Sequence, residues 1–196
     1  MSELLSYNGI SCSHEKVMRI SSHNPVTYLE NARVASHQAE SSWAAAPFAA
    51  HIQSHMPHLK VIQVVRDPIK TIKSFMDMEF FTSRDRVAEY VGPRKLMTRY
   101  IGSGQQDIEA CIDYLVAWYE FLAEIPEKVV VNVDDMDYNV LSELMGRRIT
   151  PLKKVVNDKS TWKRLDYNPD VLLERVELSP KYLRLKELAE ANQLTL

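Results

Sequence analysis

The sequence predicts an α/β protein of three layers, a mainly parallel sheet flanked by helices. Three observations carry that expectation. Residues 60–65, KVIQVV, are a β-branched run bounded by Pro57 before it and Asp67-Pro68 after it. Residues 128–133, KVVVNV, are a second such run. Between them Ile108, Cys111, Ile112, Leu115, Tyr119 and Leu122 recur at three- and four-residue steps, the spacing of a helix over 105–125. Runs this apolar suit strands covered on both faces, as parallel strands are.

The remaining elements follow in chain order. Residues 1–7 read as a helix stopped by Asn8-Gly9. Residues 10–20 read as a partly extended segment carrying His14 and Glu15, and Asn24-Pro25 as a turn. Ser41 or Ser42 is placed to cap a helix over 43–55, with Pro47 in its first turns. The chain leaves the first strand through Arg66-Asp67-Pro68 into a helix over 69–76, with Pro68 at the first helical position. Residues 79–104, with Gly92-Pro93 and Gly102-Ser103-Gly104, read as an insertion or a lid. A short helix over 141–145 ends at Gly146, and a final amphipathic helix spans 180–192.

Composition narrows the class. A chain of 196 residues suggests a single domain over 1–196, with 45% hydrophobic and 26% charged residues, as in ordinary globular proteins. The formal net charge of −2 gives no bulk attraction for nucleic acid, so an anion site must be built locally. Cys12 and Cys111 have neither CxxC nor metal-ligand spacing. No apolar run reaches the ~18 residues of a membrane span, and the start, MSELLSYNG, lacks the form of a signal peptide. The expectation is a soluble, cytoplasmic protein with no membrane partner.

The chemistry concentrates at the end of the first strand. In open α/β sheets ligands sit beyond the carboxyl ends of the strands. Arg66 leaves its strand there, where a guanidinium can hold a phosphate with two parallel hydrogen bonds. Ser74 stands eight residues on, in the following helix, and Asp67 is suited to that helix's N-terminus.

Strand–RDP–helix with a serine eight residues after the arginine resembles the 3′-phosphate motif of the sulfotransferase family. The order of the helix before that strand, the long helix with Trp118, the strand KVVVNVDDM and the terminal helix is similar to the family's. The resemblance implies a P-loop NTPase-like fold and transfer of a sulfuryl group from 3′-phosphoadenosine 5′-phosphosulfate to a hydroxyl of a small molecule or carbohydrate. It implies that Arg66 and Ser74 hold the donor's 3′-phosphate, that adenosine 3′,5′-bisphosphate is the product nucleotide, and that no metal is needed. Lys159 and Lys163 belong to a basic run that reads either as a solvated face or, as the resemblance implies, as the late loop that family members fold over that phosphate, although the family's Arg-Lys-Gly element is absent. Family members open with a strand and an RSGT-type loop for the 5′-phosphosulfate. This sequence begins inside what resembles the helix after that loop, so an N-terminally truncated version of the fold is expected.

Sulfuryl transfer also needs a base for the acceptor hydroxyl. Glu15, in CSHEKV, resembles the glutamate proposed for that role in bacterial sulfotransferases and ranks first. Glu40, in QAESSW, ranks second, and His14 third. Each could instead be a solvated charge or a hydrogen-bonded structural residue. His51 and His55 have i,i+4 spacing, but no third metal ligand accompanies them. Asp134-Asp135 resembles the acidic strand end of nucleotide hydrolases, and in the resembling family that segment binds no metal. Two other readings remain: a non-catalytic relative that binds nucleotide or a protein partner, and a nucleotide kinase, disfavoured because no GxxxxGK[ST] occurs.

Overall fold

A computed structural model of the chain describes residues 1–17, 24–34, 36–81, 107–152 and 168–194. Its class is α/β. The elements run α1 (Ser2–Tyr7), β1 (Cys12–His14), α2 (Pro25–Val34), β2 (Ala39–Ser41), a 3₁₀ turn (Ala46–Phe48), α3 (Ala49–His55), β3 (Val61–Val65), α4 (Pro68–Asp77), α5 (Asp107–Ala123), β4 (Lys128–Asn132), α6 (Tyr138–Met145), α7 (Pro169–Glu177) and α8 (Tyr182–Ala191). Among the described residues the strands form two pairs. β1 and β2 pair in parallel with Cys12, Ser13 and His14 opposite Ala39, Glu40 and Ser41, and β3 neighbours β4. Contacts divide the chain into two compact units, Met1–Val64 with Ile125–Lys159, and Val65–Glu124 with Ser160–Leu196.

The first unit is built around Leu4, Leu5, Ile10, Val131, Leu141 and Ile149. Its first helix ends as Asn8-Gly9 predicts: Gly9 takes φ +73°, a conformation that costs glycine little. The Asn8 amide does more than stop the helix. It donates to Leu4 O at 2.9 Å and Thr150 O at 3.0 Å, and it accepts from Thr150 N at 2.8 Å and Thr150 Oγ1 at 2.9 Å. α6 begins with Asp137 accepting from the N–H groups of Asn139 and Val140, and it ends at Gly146 with φ +63°.

Several expectations are corrected. Asn24-Pro25 starts a helix instead of making a turn: Asn24 Oδ1 accepts from Val26 N at 2.9 Å, and proline occupies the first helical position of α2. Ser41 closes β2 instead of capping a helix. The helix expected over 43–55 begins only at Ala49, because Pro47 belongs to the preceding 3₁₀ turn. β4 is not covered on both faces. Val131 is buried but Val130 is 39% exposed, the alternation of a strand with one face packed. An element without a sequence-based expectation is α7, whose start repeats the Asn-Pro signature: Asn168 Oδ1 accepts from Asp170 N at 3.0 Å.

In the second unit, α4 buries Pro68, Ile72, Met76 and Asp77 as one stripe. α4 and α8 pack on α5, and α7 packs on both α4 and α5. Phe75 stacks on Phe80 at 4.9 Å and meets Tyr114 of α5 edge-on at 5.3 Å. Asp113, buried on α5, is neutralised by Lys181 Nζ at 2.5 Å. Such a pairing is what permits a carboxylate to be buried at all.

Candidate functional site

The turn from β3 to α4 is defined by its capping chemistry. Asp67 is the N-cap of α4, its Oδ1 accepting from Lys70 N at 3.0 Å, while Thr71 Oγ1 donates to Asp67 O at 2.9 Å. Pro68 follows at the first helical position, where its missing N–H costs nothing. Arg66 is the residue between strand and cap, and it is half-buried. Ser74 is also half-buried. It lies seven residues beyond the cap, roughly 10 Å along the axis, on the helical face that begins with Asp67 and Thr71. The buried Ile72 and Met76 lie on the other side of the helix. Lys73 Nζ sits 3.2 and 3.1 Å from the two carboxylate oxygens of Asp77 on the same helix.

The groups of this turn are of the types that recognise anions. A guanidinium at a strand end, a hydroxyl on the following helix and the N-terminal end of that helix combine a charge, a directional donor and a favourable dipole. Tyr119 has no functional signal in the sequence, where its helical spacing marks it only as a core residue. It is buried on α5, and burial first, then the Asp67 carboxylate, push its phenol well above the ordinary tyrosine range.

A second cluster lies in the first unit, on the β1–β2 pair. Glu40 lies on β2 opposite Ser13, and Glu15, 25 residues before it in sequence, directly follows β1. Glu15 is buried, 5% exposed, and takes φ +56°. A left-handed glutamate is uncommon and costs on the order of 1 kcal/mol. Its N–H donates to Ser41 O at 3.0 Å. The Glu40 carboxylate accepts from the Ser13 hydroxyl through Oε2 and from Val17 N at 3.1 Å through Oε1. His14, the third candidate, is exposed and donates from Nδ1 to Ser41 O at 3.0 Å.

Glu40 also reaches groups that no spacing rule flags. Tyr28 of α2 has its pKa pushed up to about 12, by burial first and then by the Glu40 charge. The Cys12 thiol is raised by the same two causes in the same order, so it is held away from the reactive thiolate form. The Tyr28 shift carries a pH consequence. A raised folded-state pKa stabilises the protein below pH 10, the ordinary tyrosine value, and that stability is lost as pH rises to about 12. The loss is on the order of 2–3 kcal/mol. Tyr28→Phe is expected to flatten the decline in a denaturant titration repeated from pH 9 to about 12. An unchanged slope would contradict the placement of Tyr28.

Lys159 and Lys163 lie outside the described residues, as do residues 82–104 of the expected insertion. His51 and His55 adjoin, ring centroids 4.3 Å apart, and among the described residues no group of three or more histidine, cysteine or acidic side chains could hold a metal. Asp134 follows β4 in a turn closed by its N–H donating to Asn132 Oδ1 at 3.0 Å. No described helix is long and apolar enough to cross a membrane. No family model, no curated protein and no solved structure matches this chain.

Proposed function

We propose that the chain is a sulfotransferase-type protein whose β3–α4 turn binds the 3′-phosphate of 3′-phosphoadenosine 5′-phosphosulfate. The observation that carries the reading is the capped turn itself: Arg66 at the strand end, Asp67 fixing the first turn of α4, and Ser74 on the face that the cap begins. Arg66 supplies the charge and Ser74 a hydroxyl donor. The long arginine side chain makes up the distance along the helix. In this reading β3 and β4 belong to the sheet of a three-layer, P-loop-like fold.

The reaction follows from the donor's chemistry. An acceptor hydroxyl oxygen of a small molecule or carbohydrate attacks sulfur, and the bond from sulfur to the 5′-phosphate oxygen breaks. Adenosine 3′,5′-bisphosphate leaves, and the hydroxyl proton passes to a carboxylate. Glu15 is assigned that proton on its resemblance to the glutamate proposed as the base in bacterial sulfotransferases. The step needs no metal.

Calorimetric titration with two nucleotides tests the phosphate assignment. Adenosine 3′,5′-bisphosphate is expected to bind at least about tenfold more tightly than adenosine 5′-monophosphate, the value of one charge-assisted phosphate contact. Equal affinity, or no binding of either, would contradict it.

A further inference from the structure

The Glu40 carboxylate reaches the chain on both sides of Glu15. Oε2 accepts from the Ser13 hydroxyl, two residues before, and Oε1 accepts from Val17 N, two residues after. Ser41, next to Glu40, accepts the N–H of Glu15 itself. Three alternate positions are thus tied to two neighbouring residues of β2. The residue in the middle is the one with the unfavourable φ of +56° and a buried side chain. Such a conformation persists only where its surroundings over-determine it.

We propose that Glu40 is a positioning residue that holds the Glu15 turn in its left-handed conformation and so fixes the Glu15 carboxylate for proton transfer. The role in proton transfer rests on the sulfotransferase reading above; the brace itself does not. A brace explains why an acid lies at the β1–β2 pair with both oxygens occupied. It also gives the two glutamates different roles, since Glu40 supports the turn and Glu15 is held by it.

The chemistry of the brace dictates the variants. Glu40→Ala removes both acceptors. Glu40→Gln keeps the geometry without the charge, because its Oε1 can accept from Val17 N while its Nε2 donates to Ser13 Oγ. Glu15→Gly removes the strain, because glycine takes φ +56° without a Cβ penalty. Thermal midpoints are measured for Glu40→Ala and Glu40→Gln, each in the wild type and in Glu15→Gly. Glu40→Ala is expected to lower the midpoint by about 5 °C in the wild type and by at least as much in Glu15→Gly, where no strain is released when the brace is lost, with Glu40→Gln restoring most of the loss. The amide coupling constant at residue 15, which reports φ, is expected to change in Glu40→Ala and to stay unchanged in Glu40→Gln. Where Glu40→Ala does not fold, Ser13→Ala replaces it in the same cycle. A smaller penalty in Glu15→Gly than in the wild type, an unchanged coupling constant in Glu40→Ala, or a Glu40→Gln as damaging as Glu40→Ala, would overturn the brace. None of these measurements uses nucleotide, so failure of nucleotide binding overturns the donor-site reading alone.

Discussion

Arg66→Ala is expected to weaken binding of adenosine 3′,5′-bisphosphate roughly 10- to 150-fold, the equivalent of about 1.5–3 kcal/mol for one charge-assisted contact. Arg66 is half-buried at the end of β3, and the capping of α4 depends on Asp67, not on the guanidinium. Arg66→Lys should recover only part of the affinity, since an ammonium cannot form the two parallel hydrogen bonds of a guanidinium. Ser74→Ala should cost less, on the order of 1 kcal/mol, because it removes a neutral donor. If both side chains hold one phosphate, the double variant will lose less than the sum of the two single losses or more than it, but not equal to it. Calorimetry on the wild type and these variants reads all of these affinities.

Leu141→Ala is expected to destabilise the first unit by about 2–5 kcal/mol, the range for a leucine truncated in a packed core. Leu141 is 0% exposed and sits among Leu4, Leu5, Ile10, Val131 and Ile149, which come from α1, the segment after it, β4 and the chain after α6. A cavity there has walls on several elements, and their hydrogen-bonded ends limit collapse. Asn8, for example, is fixed to Thr150 by three hydrogen bonds. Denaturant unfolding followed by circular dichroism measures the effect. A loss under about 1 kcal/mol would show that the site closes around the truncated side chain.

The parts of the fold that can be read from the sequence are those set by local chemistry. Asp67-Pro68 marks the β3–α4 junction because an acceptor side chain followed by a residue without an N–H is what a helix start requires. Gly146 marks the end of α6 because the stop needs a positive φ. The same signature stands at Asn24-Pro25 and Asn168-Pro169, and both start helices. Asn-Pro serves turns and helix starts alike, and the apolar pattern behind each of these two is too weak to separate them. β2 is not legible in the same sense. Ala-Glu-Ser has no strand preference, and only pairing with β1 makes it one. The candidate site divides along the same line. Arg66 and Ser74 are local to one turn and one helix, so spacing finds them. Glu15 and Glu40 are legible as separate candidates, but their relation is long-range. Register alone sets Glu40 opposite Ser13, and a left-handed Glu15 between two Glu40 hydrogen bonds has no sequence signature.

The phosphate cradle at the β3–α4 turn is tested most directly by an amide chemical-shift map of the protein titrated with adenosine 3′,5′-bisphosphate. The largest shifts are expected at Arg66 through Ser74, with the Asp67 and Lys70 amides moving as the cap adjusts to the anion beside it. The same titration with adenosine 5′-monophosphate should leave those amides nearly still. Saturable binding whose shifts fall elsewhere, with residues 66–74 unmoved, would contradict the cradle.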